Sequence, residues 1–292
     1  MPAAKTTAPR ATARRSAAET GEDHLRAGIQ SVEVGFELLN ALSQAPGALM
    51  LRDLAAAAGM SAAKAHRYLV SFQRMGLVAQ DPVSTRYDLG PAALRLGLAS
   101  LSRLDAVKLA RDRIPALLAE TGHTLAIAVW GNQGPTMVHW AEAPQTVPVT
   151  LRLGDVMPLL TSATGRCFAA FMGQEGRDAQ RIGPMIREEL ARVKKLPRNG
   201  LPLEDVPQTL QEVQALLDET RAQGLGRVVH SLLPGVGGFC APVFDAQGRL
   251  ALGLVVLGSV ATLDTGWTGA PASALRRCAR QLSADLGHSP GP

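Results

Sequence analysis

The sequence predicts an α+β chain in two parts. A winged helix-turn-helix comes first, and a linker helix joins it to a larger domain with an antiparallel sheet. Three observations lead there. Residues 31–90 run helix, short helix, glycine turn, helix, hairpin. Residues 125–257 carry two hairpin patterns separated by helical stretches, the signature of strands and helices segregated in one domain. The charge is uneven: residues 1–104 hold 12 Lys+Arg against 8 Asp+Glu, whereas residues 105–292 hold 18 against 17. The excess positive charge therefore sits in the first third, where a small polyanion-binding module needs it.

Residues 1–27 lack apolar periodicity and cluster Arg10, Arg14 and Arg15. They read as a disordered basic arm, either a plain solvated tail or one that touches phosphates. Residues 28–90 form the winged unit. Ser31 is placed to cap a first helix whose apolar positions are Val32, Phe36, Leu38, Leu39 and Leu42, ending before Pro46-Gly47. Leu51 to Ala58 makes a short second helix stopped by Gly59. Ser61 caps a third, with a core stripe of Ala65, Tyr68, Leu69, Phe72 and Met75. Leu77 to Gln80 and Arg86 to Leu89 pair across a turn at Asp81-Pro82 as the wing. Residues 91–104 are the linker helix.

The second domain spans 105–287, with 288–292 as a tail. A helix over Asp105–Thr121 contains Pro115, which should kink it or start a new turn. Leu125–Trp130 and Thr136–Ala141 pair around Gly131–Gly134, and Val147–Leu151 is a third strand. Helices follow over Thr164–Phe171, Arg177–Ala191 and Val206–Gln223. Val236–Phe244 and Leu250–Leu257 form a second hairpin, and Ala272–Leu286 closes the chain as a helix.

At 46% hydrophobic and 19% charged, 292 residues can bury a real core. No apolar run approaches ~18 residues and no secretory h-region is present, so neither a membrane partner nor export is expected, and a cytoplasmic location is. Cys167, Cys240 and Cys278 are odd in number and lack a CxxC spacing, which fits neither a disulfide framework nor a zinc site. No metal or cofactor is expected.

Read physically, the third helix turns Lys64, Arg67, Ser71 and Arg74 away from its core stripe. Its first turn, Ser61-Ala62-Ala63, is small enough to approach base edges. Arg or Lys can pair with guanine O6 and N7, whereas Arg52 on the second helix and Arg86 on the hairpin suit phosphates. His66 has no second ligand at i+4 and reads as a recognition-helix residue that packs or donates a hydrogen bond. A solvated basic face is the competing reading, and the ordered set of helices and wing favours DNA.

The stretches Ser31-Val32-Glu33, Leu51-Arg52-Asp53-Leu54-Ala55, Gly59-Met60-Ser61, Ala65-His66-Arg67-Tyr68-Leu69, Gly76-Leu77-Val78 and Arg86-Tyr87-Asp88-Leu89-Gly90 resemble the IclR family in order and spacing. Later, Met157-Pro158-Leu159, Ala163-Thr164-Gly165-Arg166 and Ala241-Pro242-Val243-Phe244-Asp245 resemble its sensor. The resemblance implies a transcriptional regulator with a GAF-like α+β effector-binding domain. Its partners would be an operator in double-stranded DNA, a small organic acid effector and further copies of the chain, as a dimer or a dimer of dimers. The linker helix, with Leu94, Leu96, Leu98 and Leu101, is apolar enough to pack on a partner copy. The implied DNA-contacting residues are Arg52, Ser61, Ala62, Ala63, Lys64, His66, Arg67 and Arg86. Where the family commonly has Lys-Ser-Thr before Ala-His-Arg, this chain has Ala62-Ala63-Lys64, so the operator of a relative does not transfer.

In the resembling family a loop ahead of a helix holds the effector's acid group, carried here onto Ala163, Thr164 and Gly165. The exposed N–H groups of a helix start favour an anion, though an ordinary capped core helix reads equally well. The other carried-over pocket positions are Val149, Met157, Val228, Gly238, Val255 and Leu257. A relative that binds a small keto acid has Asp at the position of Val228 and serines at Val255 and Leu257. Apolar replacements would leave a small polar acid's carbonyl or hydroxyl unpaired, so an apolar or aromatic acid is expected. An enzyme using Cys167 or Cys240 would need a histidine base beside the thiol, and no His neighbours a Cys in such an arrangement. A purely architectural DNA binder would have no use for a near-neutral second domain.

Overall fold

The computed structural model describes residues 28–101, 103–143, 151–172, 176–195 and 205–289. The chain divides into two compact units meeting at Arg103 and Leu104. The proposed basic arm and most of the strand at Val147–Leu151 lie outside the described residues.

The first unit holds α1 (Gln30–Gln44), α2 (Leu51–Ala57), α3 (Ala62–Arg74), β1 (Val78–Gln80), β2 (Tyr87–Leu89) and α4 (Pro91–Leu101). Its core is Leu38, Leu42, Leu54, Ala55, Ala65, Leu69, Val78 and Tyr87. Gly35 lets α1 meet α3, because a Cβ there would lie 3.0 Å from the rings of both Phe72 and Tyr68. Ser61 caps α3, its hydroxyl accepting from the Lys64 N–H at 3.4 Å. Gly59 and Gly76, both at positive φ, end the helices on either side. Asp81 organises the wing turn by accepting from the Ser84 and Val83 amides at 2.6 and 3.0 Å. Those bonds, from Ser84 foremost, hold its carboxyl below the usual carboxylate range. Leu49 adds a third edge to the wing by exchanging two backbone hydrogen bonds with Tyr87.

Three sequence expectations are corrected here. α1 starts one residue before Ser31, with Ile29 at the N-cap and no side-chain cap. Val32 and Phe36 are 63% and 56% exposed, because the buried stripe of α1 runs through Gly35, Leu38 and Leu42 instead. Met75, at the end of α3, is also exposed.

The second unit holds α5 (Ala106–Thr121), β3 (Thr124–Gly131), β4 (Gly134–Ala141), α6 (Ala163–Met172), α7 (Gly176–Val193), α8 (Leu210–Gln223), β5 (Gly226–Val229), β6 (Val236–Phe244), β7 (Leu250–Ser259) and α9 (Ala270–Asp285). The strands form one antiparallel sheet in the order β4-β3-β7-β6-β5. Side chains alternate across it. Leu125, Ile127, Phe239, Ala241, Leu252, Leu254 and Val256 face α5 and α9. Ala126, Ala128, Cys240, Val255 and Leu257 face α6. The second face is built largely from small residues, which makes room for α6 and for a cavity beside it. At Gly253 a Cβ would come within 2.7 Å of Cys240 Sγ and 3.0 Å of the Phe168 ring.

α5 runs on through Pro115 rather than restarting. α8 starts four residues later than its apolar pattern implies, because Pro207 precedes a reciprocal cap. The Thr209 hydroxyl accepts from the Glu212 N–H at 3.1 Å, and Glu212 accepts from the Gln208 N–H at 2.8 Å. Among the described residues no helix is long and apolar enough to cross a membrane.

Candidate functional site

Two sites emerge, one in each unit. In the first, Ser61, Ala62, Ala63, Lys64, His66 and Arg67 all lie exposed over the first turns of α3. Arg52 on α2 and Arg74 at the end of α3 are exposed as well. Arg86 is exposed beside the wing and donates from Nη1 to the Ala48 carbonyl at 3.0 Å, which holds one side of its guanidinium. None of these cations makes an ion pair among the described residues. A helix with a small first turn, flanked by unpaired cations on a second helix and a wing, has the shape and charge of a major-groove reader.

In the second unit, a small, partly open cavity lies between the sheet and the start of α6. Met157, Ala163, Thr164, Val228, Gly238, Val255 and Leu257 line it, joined by Met137, Leu151, Ser162, Leu232, Leu233 and Val236. Seven of the sequence-predicted positions are thus brought together. Val149 lies outside the described residues. Gly165 faces the other way: a Cβ there would be 1.9 Å from the Pro158 carbonyl oxygen, so its bare backbone lets α6 press on the Pro158–Leu159 segment. The lining residues missed in the sequence come from the Leu232-Leu233 loop and from Met137 on β4. The loop has no periodicity to betray it. A register shift in the β3–β4 pairing puts Met137 opposite Ala128 and on this face, which alternation from Ala141 would not give.

The cavity is apolar except at one end. The Ser162 hydroxyl donates to the Pro158 carbonyl at 2.6 Å and accepts from the Gly165 N–H at 2.8 Å, and so caps α6. The Ala163 and Thr164 amides have no acceptor among the described residues. Burial pushes the Cys240 thiol well above its ordinary value, the opposite of what a nucleophile needs.

The segment leading to these amides is held by two buried charges that no local pattern marks as buried. Glu189, on α7, accepts from the Leu159 and Leu160 amides at 2.6 and 2.8 Å. Arg166, only 2% exposed, donates from Nε to the Leu160 carbonyl at 2.8 Å. Its Nη1 reaches the Arg227 carbonyl on β5 at 2.7 Å and Asp205 Oδ2 at 2.8 Å, and its Nη2 reaches the Asp205 carbonyl at 2.5 Å. Burial lowers the guanidinium pKa, and Asp205 opposes the shift.

A helix-turn-helix unit ahead of an α+β domain with an apolar cavity defines a class, the transcriptional regulators that pair a DNA-binding unit with an effector-binding domain. Comparison with known proteins gives the particular family. The IclR helix-turn-helix domain matches residues 31–82, and the C-terminal domain of the bacterial transcriptional regulator IclR matches residues 98–284. The chain belongs to the IclR family. It is 31% identical over 264 residues to the glycerol operon regulatory protein of Streptomyces griseus, covering 89% of this chain and 97% of that protein. The crystal structure of Pseudomonas aeruginosa HmgR superposes with a TM-score of 0.76 at 36% identity, over 89% of this chain and 99% of that one. The Agobacterium tumefaciens repressor BlcR shares the fold with a TM-score of 0.71 at 20% identity, over 90% and 99%. The family matches are regulators of transcription and not enzymes.

Proposed function

We propose that this regulator senses an organic acid with an apolar, preferably aromatic, body, and that the acid binds in the cavity beside α6 and changes operator affinity. The observation that carries the reading is the cavity's lopsided chemistry: apolar walls at Val228, Val255 and Leu257, with the unengaged Ala163 and Thr164 amides at one end. Those amides at a helix start suit a carboxylate. The walls favour carbon over a second polar group, with each buried methylene gaining about 0.8 kcal/mol. Ser61, Ala62, Ala63, Lys64, His66 and Arg67 would face the groove, with Arg52 and Arg86 on phosphates. A cytoplasmic location follows from that role.

Calorimetry on the full chain tests the effector. Benzoate should bind at least about tenfold more tightly than glyoxylate, since burying even two further carbons is worth roughly 1.6 kcal/mol. The bound acid should shift operator affinity, because an effector acts only through a difference between two states. Tight glyoxylate binding with no response to benzoate refutes the reading.

The same reading includes self-association. Leu94, Leu96 and Leu98 on α4 are 64%, 64% and 55% exposed, and Ile29, Val32 and Phe36 form a second bare apolar surface on α1. Covering both with another copy would remove them from water and supply the second half-site reader. Light scattering at micromolar concentration should give a mass of at least twice the 30.7 kDa chain. A monomer at that concentration rules the pairing out.

A further inference from the structure

Glu189 is a buried carboxylate on α7, outside the lining of the effector cavity, and its hydrogen-bond partners among the described residues are backbone N–H groups. Leu159 and Leu160 donate at 2.6 and 2.8 Å, and the Thr161 amide lies near enough to favour the charged form. No cationic side chain hydrogen-bonds it among the described residues; Arg192, one turn on along α7, acts only through space. Burial raises its pKa above the ordinary carboxylate value. The folded state thus holds a proton on Glu189 more tightly than the unfolded chain does, so stability is lost as pH rises through the raised value and the neutral-pH carboxylate is a cost to folding. A buried charge without a cation is expensive, and an apolar side chain would fill the place at lower cost.

What the charge secures is a conformation. Its two oxygens take one amide each, those of Leu159 and Leu160, with Thr161 next to them and Ser162 following. Arg166 holds the Leu160 carbonyl from the other side. The Leu159–Thr161 segment is thereby clamped by opposite charges on α7 and α6, and Ser162, Ala163 and Thr164 continue from it into the cavity wall.

We propose that Glu189 is the positioning residue for effector acid recognition: by ordering the Leu159 and Leu160 amides it sets the direction of the Ala163 and Thr164 N–H groups that receive the ligand's carboxylate. The proposal rests on the cavity being the effector site. Its carboxylate lies on the far side of the segment and is met by amide dipoles, so its influence on the ligand is geometric and not a field effect. Each partner is a donor, so only a full acceptor pair fits. In Glu189→Gln one oxygen becomes an amide NH2 facing an N–H, and at least one of the bonds is lost.

The test measures benzoate and its uncharged isostere benzamide on the full-length protein, wild type and Glu189→Gln, by calorimetry, with anisotropy on operator DNA in parallel. The expected result is a roughly tenfold or greater loss of benzoate affinity in Glu189→Gln, with benzamide affinity and ligand-free operator affinity unchanged. Equal losses for both ligands would reduce Glu189 to a packing role and overturn the proposal, as would unchanged or tighter benzoate binding. If Glu189→Gln unfolds, Glu189→Asp serves in its place: its shorter reach should lower benzoate affinity alone. A wild type that binds benzoate no better than benzamide removes the acid-binding reading itself, which sets that failure apart from a failure of Glu189.

Discussion

Replacing Arg166 by Met should destabilise the second unit by about 3 kcal/mol, the lower end of the range for removing one partner from a buried pair. The guanidinium is almost wholly buried and supplies donors to the carbonyls of Leu160, Arg227 and Asp205. Methionine keeps the volume and leaves all three carbonyls without that donor. The low end applies because the Asp205 side chain is about a third exposed and can turn to water. For a unit of this size the loss corresponds to a fall in melting temperature of roughly 6–12 °C. Because Arg166 ties α6 to β5 and to the segment beside the cavity, effector binding should weaken in the surviving folded fraction. The transition of the first unit should not move. Differential scanning calorimetry checks both units in one scan, and a shift below 2 °C would mean the buried cation contributes little.

Arg67→Ala should abolish specific operator binding while leaving the fold intact. The side chain is exposed on the N-terminal half of α3 and takes no part in the core of Leu38, Leu54 and Leu69. A good arginine–base pair discriminates by about 1–3 kcal/mol, and in a dimer the loss is taken twice, roughly 2–6 kcal/mol or up to four orders of magnitude in affinity. Arg86→Ala should behave differently. Wild-type Arg86 sits beside the wing, on the proposed phosphate side, so the variant should weaken binding to every sequence alike and reduce the slope of log affinity against log salt by about 1 per contact. Fluorescence anisotropy on operator and scrambled DNA at several salt concentrations separates the two. Wild-type operator affinity in Arg67→Ala would show that α3 is not the reading helix.

The difference between these two variants reflects how each residue could be found. Arg67 stands in a helix whose cap, apolar stripe and closing glycine are all local, so its exposure follows from the 3.6-residue period alone. The alternation of the β6–β7 hairpin is equally local, and it puts Val255 and Leu257 on one face with Cys240. The capped start of α6 marked Ala163 and Thr164 for the same reason. Local pattern misled where burial depends on what another element covers. Val32 and Phe36 continue an apolar face of α1 that nothing in the unit covers. β5 is only four residues long, too short for its alternation to stand out in the sequence; its pairing with Gly237–Cys240 defines it.

By itself, then, the sequence determined the order of most elements and the exposed basic face of α3, because capping, periodicity and alternation act over a few residues; the pocket positions came from the family resemblance. Only the tertiary structure decided that Glu189 and Arg166, charges 23 positions apart, grip opposite sides of one short segment. Burial and hydrogen-bond partners across such a separation are set by how α6 and α7 pack. A charged residue on an amphipathic helix carries no local mark of being the one that turns inward.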